Sequence, residues 1–106
     1  MLRSLERLVR AAGFSVQGFA TPGALLQSDI PQIGACLIVD VNLPEMNGVE
    51  LCHVLAASGR PLPAILITGQ IDDPKTQRLI QQLQAVAVLY KPFAASLLLD
   101  ALSAAF

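Results

Sequence analysis

The chain has 106 residues, of which 54% are hydrophobic and 14% are charged, and its net charge is −1. This length predicts one domain, residues 1–106, with a single core, and the composition excludes a disordered chain. The even balance of charge excludes the basic surface that nucleic acid requires, so we expect no direct contact with nucleic acid. No apolar run approaches the roughly 20 residues that span a bilayer, so we expect a cytoplasmic protein without membrane contact.

The N-terminal part of the chain predicts a helix, a short strand and a second helix. Leucine, valine and alanine recur at helical spacing over residues 2–12, and Gly13 ends the pattern. The segment FSVQGFA, residues 14–20, alternates well enough to predict a strand. Thr21 and Pro22 then fit the N-cap and the first position of the next helix.

Three later segments are continuous apolar runs, which are typical of parallel strands covered on both faces. They are ACLIVD at 35–40, AILIT at 64–68 and AVAVLY at 85–90. A helical pattern follows each run, over 48–59, over 72–84 and over 94–106. In the second of these, Asp73 fits the N-cap and Pro74 the first helical position. The alternation of helices and strands predicts an α/β fold, a doubly wound parallel sheet with four strands and five helices.

The sulfur and imidazole side chains give no sign of a site. Cys36 lies in an apolar strand, and Cys52 and His53 lie on a predicted helix, without the spacing of a metal or redox motif. We expect buried, reduced thiols and a histidine on the helix surface.

Polar side chains stand at the carboxyl ends of the three apolar strands. Asp40 ends the first, Thr68 ends the second, and Lys91 follows the third. Each residue alone has an ordinary explanation, as a helix cap, a β-former or a solvated charge. Because the carboxyl ends of parallel strands meet at one edge, the three together favour phosphoryl chemistry. A carboxylate can attack phosphorus, while an ammonium and a hydroxyl can hold the phosphoryl oxygens.

The motifs LIVDVNLPEMNG, LITG and LYKPF follow in that order, and with them the chain resembles the receiver domains of two-component response regulators. The resemblance implies a flavodoxin-like fold and a signalling role without enzymatic activity. It makes Asp40 the phosphoacceptor and Thr68 and Lys91 the residues that stabilise the phosphoryl group and switch. It also implies a cis peptide bond before Pro92, and Mg²⁺ held by Asp40 and the backbone carbonyl of Asn42. The implied partners are a sensor histidine kinase and an output domain or downstream protein.

The chain departs from that family at its N-terminus, where the first strand and its pair of acidic residues are missing, as in an N-terminally truncated receiver. Mg²⁺ prefers six oxygen ligands, so Asp40 and one carbonyl should bind it weakly or not at all. Asp72 and Asp73 are a substitute acidic pair, although helix capping explains them better. The alternative function is therefore a degenerate receiver that acts, without phosphorylation, as a binding or dimerisation module.

The missing strand also has a structural consequence. In the family's sheet order, 2-1-3-4-5, it lies in the interior, so its loss leaves the strands at 14–20 and 36–40 with unpaired edges. Unpaired buried backbone groups cost about 1 to 3 kcal/mol each. We therefore expect either a four-stranded sheet in which these two strands are adjacent, or a homodimer whose edges pair or swap.

Overall fold

The computed structural model describes residues 2–31, 34–43, 46–69, 74–83 and 85–106. Within these ranges the chain forms five helices and three strands. In chain order they are α1 (Leu2–Ala11), α2 (Pro22–Leu26), β1 (Leu37–Asp40), α3 (Gly48–Ala57), β2 (Ala64–Thr68), α4 (Pro74–Leu83), β3 (Ala87–Tyr90) and α5 (Ala95–Ala105). The longest, α5, has 11 residues, and no helix in the described ranges is long and apolar enough to cross a bilayer.

The three strands form a parallel sheet in the order β1-β2-β3. β2 is the central strand, and each of its five residues is buried. Such a strand needs an apolar side chain at almost every position, because both of its faces are covered. The prediction that the three apolar runs pair in parallel is therefore confirmed.

Helices cover the sheet on both faces and create two apolar clusters. Leu25 of α2 and Leu55 of α3 pack with Leu66 on one face, where the apolar side chains of α4 join them. On the other face, Val9 of α1 and Leu98 of α5 pack together with residues of β2 and β3. This arrangement confirms the α/β doubly wound class with five helices.

The short helix α2 is stabilised at both ends. The Thr21 hydroxyl accepts a hydrogen bond from the Ala24 amide at 3.1 Å, as expected for its N-cap position. At the C-terminal end, Arg60 donates hydrogen bonds to the carbonyls of Leu26, the last residue of the helix (3.1 Å), and of Ser28 (3.3 Å). Because five residues form little more than one turn, these contacts replace the stability that a longer helix would have.

The segment 14–20 does not form the strand that the sequence predicts, so the sheet has three strands rather than four. These residues have no regular secondary structure and face β1 across a cavity of about 710 Å³. Their alternation provides one apolar side, but a strand also needs a hydrogen-bonded neighbour, and none of the described strands pairs with this segment. The expected closure of the sheet onto this segment is therefore wrong. The homodimer stays a prediction.

Candidate functional site

An ion pair joins the tip of β1 to the residue that follows β3. The Nζ atom of Lys91 lies 2.6 Å from Oδ2 of Asp40. The Lys91 side chain is 37% exposed and that of Asp40 only 14%, so the pair lies at the surface with its carboxylate largely covered. The other carboxylate oxygen, Oδ1, accepts a hydrogen bond from the Asn42 amide at 2.8 Å. Both oxygens of this carboxylate therefore have a donor.

The loop after β1 is shaped by a close approach between two main chains. A Cβ atom on Gly48 would overlap the carbonyl oxygen of Asp40 and would lie 2.9 Å from the carbonyl carbon and 3.0 Å from Cγ2 of Val39. The Gly48 amide donates to the Val41 carbonyl at 2.9 Å, and an isolated bridge joins Asn42 to Asn47. Because position 48 has no side chain, α3 can begin directly against the strand tip that carries the carboxylate.

The backbone places Lys91 beside the end of the central strand. Its amide donates to the carbonyl of Thr68 at 2.8 Å, which extends the pairing of β2 and β3 by one step. Thr68 is the last residue of β2 and is 0% exposed. The peptide bond between Lys91 and Pro92 is cis. The structure thus brings Asp40, Thr68 and Lys91 to the same edge of the sheet.

Two further residues belong to this region, and the sequence patterns did not predict that they would. Oδ1 of Asn47 accepts from the Val49 amide at 2.8 Å and caps α3, while its Nδ2 donates to Oγ1 of Thr76 at 3.2 Å. Thr76 is a buried polar residue of α4. An Asn-Gly pair before a helical pattern could have indicated the cap. The contact with Thr76, 29 positions away, has no local signal.

The described residues do not by themselves provide a magnesium site. Mg²⁺ requires near-octahedral oxygen ligands, and both oxygens of Asp40 already accept hydrogen bonds from donors. In the described ranges no three His, Cys, Asp or Glu side chains are grouped to hold a metal ion. The substitute pair, Asp72 and Asp73, lies outside the described residues.

The two cysteines, both in the described part of the chain, are free thiols, as the sequence predicts. Burial raises the pKa of the Cys52 thiol to about 11 and also raises that of Cys36. Their thiolates are therefore disfavoured at neutral pH. His53 is half-buried, and its Nε2 lies 3.2 Å from the Leu79 carbonyl on α4. These side chains have structural positions and take no part in the strand-end site.

Comparison with known proteins places this geometry in a family. Residues 1–103 match the response regulator receiver domain. Nodulation protein W of Bradyrhizobium diazoefficiens is 41% identical over 105 residues, covering 99% of this chain and 46% of that protein. Response regulator protein TodT of Pseudomonas putida is 36% identical over 105 residues, with the same coverage. The solved structure of the response regulator StyR shares 34% identity with a TM-score of 0.87, covering 99% of this chain and 52% of that chain.

The chain belongs to the response regulator receiver domain family. It has the flavodoxin-like receiver fold of two-component signalling proteins and spans about half the length of the curated relatives it matches. Receiver domains are generally signalling modules rather than enzymes, work with sensor histidine kinases and output domains, and depend on Mg²⁺.

Proposed function

We propose that this chain accepts a phosphoryl group from a sensor histidine kinase on the carboxylate of Asp40 and in response changes a protein-interaction surface. In this proposal residues 1–106 act as one receiver unit without enzymatic activity of their own. The observation that carries it is the 2.6 Å contact between Lys91 Nζ and Asp40 Oδ2 at the carboxyl edge of the sheet. It pairs a nucleophile with a cation where parallel strands of such folds present their functional groups.

The reaction is a displacement at phosphorus. One oxygen of the Asp40 carboxylate forms a bond to phosphorus while the bond between phosphorus and the donor's imidazole nitrogen breaks. The electron pair of that bond stays on the imidazole nitrogen, which then takes up a proton. The product is an acyl phosphate, whose phosphoryl group carries about 1.5 to 2 negative charges at neutral pH in place of the single charge of the carboxylate.

Two neighbouring groups give this charge an effect on structure. The Lys91 ammonium, which already contacts Oδ2, can follow the charge from the carboxylate to the phosphoryl oxygens. The Thr68 hydroxyl ends the adjacent strand and can donate a hydrogen bond to one of them. Because the Lys91 amide is bonded to the Thr68 carbonyl, a shift at either residue is transmitted to the other and to the start of α5.

The chain has few ligands for the metal ion that phosphoryl transfer in this family requires. The family generally depends on Mg²⁺. We propose that magnesium-dependent phosphorylation is weak or absent here, because the described ligands amount to Asp40 and the Asn42 carbonyl. The partners are a sensor histidine kinase and an output domain or downstream protein. Response regulators are typically cytoplasmic, and the proposal places this chain in that compartment.

The test is phosphorylation by a small donor. The chain is incubated with phosphoramidate, with and without MgCl₂, and the product is measured by intact mass spectrometry. Hydroxylamine, which cleaves acyl phosphates, identifies the type of bond. We expect a low yield of a hydroxylamine-sensitive adduct that maps to Asp40, that Mg²⁺ changes little, and that is lost in Asp40→Asn. The exposed Asp100 of α5 provides a matched control, and Asp100→Asn should keep the yield.

The outcomes separate the candidate functions. A label that persists in Asp40→Asn assigns the phosphoryl group to another residue and overturns the proposal. If neither phosphoramidate nor a histidine kinase labels Asp40, the phosphorylation-independent binding or dimerisation module replaces it. A high yield that requires MgCl₂ leaves Asp40 as the acceptor but contradicts the proposed weakness of the metal site.

A further inference from the structure

Asn47 is followed directly by Gly48, and asparagine in that position is chemically labile. The backbone nitrogen of the following residue can attack the side-chain amide carbon of an asparagine, and a glycine has no side chain that obstructs the attack. The chain has one other asparagine, Asn42, and the branched side chain of Leu43 follows it. Of the two asparagines, Asn47 is therefore the one whose side chain should lose ammonia more readily.

The reaction passes through a succinimide ring. Hydroxide removes the proton of the Gly48 amide, the nitrogen forms a bond to Cγ of Asn47, and the bond between Cγ and Nδ2 breaks. Nδ2 takes up a proton and leaves as ammonia. Water then opens the ring at either of its two carbonyls, which gives aspartate or isoaspartate at position 47. Water and hydroxide are the only co-reactants, and no atom is oxidised or reduced.

The structure holds the nucleophile and the leaving group of this reaction in hydrogen bonds. The Gly48 amide donates to the Val41 carbonyl at 2.9 Å. Oδ1 of Asn47 accepts from the Val49 amide at 2.8 Å, and Nδ2 donates to Oγ1 of Thr76 at 3.2 Å. Gly48 is also buried, which shields its amide from hydroxide. The side chain and the backbone nitrogen that must meet are therefore each fixed to another group.

The backbone of Asn47 is unsuited to ring closure as well. It is extended, with φ −67° and ψ 136°. Because the ring is nearly flat, the Gly48 nitrogen must eclipse Cβ of Asn47 about the Cα–C bond, and this arrangement lies between the α and β regions, where few residues are found. Rotation toward it would break the bond from Gly48 to Val41 and displace the first turn of α3. The reaction therefore requires a local opening of the chain.

We propose that Asn47 is the deamidation site of this chain and that its contact with Thr76 controls the reaction, so that ammonia is lost only after α4 releases the Asn47 side chain and the first turn of α3 opens. Such a release is feasible because Thr76 is the only residue of α4 that is buried, among the residues that the structure describes. The opening is local and falls short of global unfolding. The inference does not depend on phosphorylation of Asp40.

The two products change the loop beside the strand tip in different ways. Aspartate at position 47 can still cap α3, but it adds a negative charge and cannot donate a hydrogen bond to Thr76. Isoaspartate leads the main chain through Cβ and so lengthens it by one atom. We expect this product to break the bridge between positions 42 and 47.

The experiment incubates the whole chain in a mildly alkaline buffer, with and without denaturing urea. Deamidation replaces NH₂ with OH, and peptide mapping by mass spectrometry assigns the change in mass to Asn42 or Asn47. In urea we expect Asn47 to react while Asn42 stays largely unmodified. Without urea, the reaction at Asn47 should be slowed at least as strongly as hydrogen exchange of the Gly48 amide, because an opening that permits attack also frees that amide.

A matched pair of variants tests the control by α4, and circular dichroism checks that both are folded. Thr76→Val removes the acceptor of Nδ2 and should speed the reaction of the folded chain by about two- to tenfold, as expected for the loss of one hydrogen bond. Thr21→Val makes the same change at the cap of α2 and should leave the rate at Asn47 unchanged. Asn47→Ser should abolish the modification at this position.

Three results would overturn the proposal. The first is a reaction at Asn42 that is as fast as the reaction at Asn47 in urea. The second is a folded chain that reacts as fast as the chain in urea, or that is slowed less than hydrogen exchange at Gly48. The third is an equal acceleration in Thr21→Val and Thr76→Val, because global unfolding, rather than the release of α4, would then determine the rate.

Discussion

The side-chain amide of Asn47 donates a hydrogen bond to the hydroxyl of Thr76, with 3.2 Å between Nδ2 and Oγ1. Asn47 lies in the loop that follows the carboxylate-bearing strand, and Thr76 lies in α4. The same asparagine caps α3 through its other side-chain atom, Oδ1. One side chain thus connects the loop beside Asp40 to two helices on the same face of the sheet.

This contact can be measured by a double-mutant cycle. Asn47→Ser keeps an N-cap oxygen but removes the amide donor, and Thr76→Val removes the hydroxyl. We expect a coupling energy of about 0.5 to 1.5 kcal/mol between the two changes, as for a partly buried neutral hydrogen bond. The measurement is urea unfolding of the four proteins. Strictly additive single effects would show that the two side chains do not interact in solution.

The approach of Gly48 to the strand tip predicts a severe effect of a single methyl group. Gly48→Ala should destabilise the chain by about 1 to 3 kcal/mol, because the Cβ would overlap the main chain of Asp40. Gly23→Ala is the matched control, since its Cβ would meet nothing within 4 Å in α2. There alanine should stabilise by about 0.5 to 1 kcal/mol. Denaturant unfolding compares them, and equal stabilities would contradict the close approach.

The ion pair at the site should matter more for chemistry than for stability. Because Lys91 is partly exposed, Lys91→Met should change the free energy of unfolding by less than about 1 kcal/mol, and salt should reduce the difference further. The yield of phosphorylated Asp40 should nevertheless fall, because no cation remains to hold the phosphoryl oxygens. Lys91→Arg keeps the charge and should retain more of the yield. A loss of several kcal/mol in Lys91→Met would instead make this pair a main stabiliser of the fold.

Arg60 should be a determinant of the stability of α2. Arg60→Met removes two hydrogen bonds from a charged donor to the carbonyls of Leu26 and Ser28, at a cost of about 1 to 3 kcal/mol. Hydrogen exchange should become faster in α2 before it does elsewhere. Arg78→Met, at an exposed position of α4, is the control and should change both quantities little. Unchanged exchange in α2 would rule out this role of Arg60.

Stability at alkaline pH should depend on Cys52. Burial raises the pKa of this thiol from 9.0 to about 11, so between these values the unfolded chain loses the proton while the folded chain keeps it. The contribution of the thiol is complete below pH 9 and is lost as the pH rises to about 11, by roughly 2 to 3 kcal/mol. In Cys52→Ala this part of the decline should disappear. Denaturant unfolding from pH 8 to pH 11 measures it, and parallel curves for the two proteins would refute the linkage.

Most of the architecture is encoded locally and could be predicted. Continuous apolar runs identify the three parallel strands, and the cap at Thr21 with Pro22 identifies the start of α2. The strand ends also indicate the site. Asp40, Thr68 and Lys91 all lie at the carboxyl ends of strands, and in a parallel sheet these ends lie side by side. In the described ranges no strand pairs with 14–20, so its alternation alone was misleading. The contact of Asn47 with Thr76 depends on how α4 packs, which no local pattern describes.

Among the described residues β1 pairs only with β2, and the edge that this leaves open has a consequence for handling the chain. An apolar strand with available backbone groups can act as a template for strands of other molecules, and such edges promote aggregation. We therefore expect the chain to aggregate faster at higher concentration. A ligand that covers this edge should slow aggregation and so help storage and crystallisation of the chain.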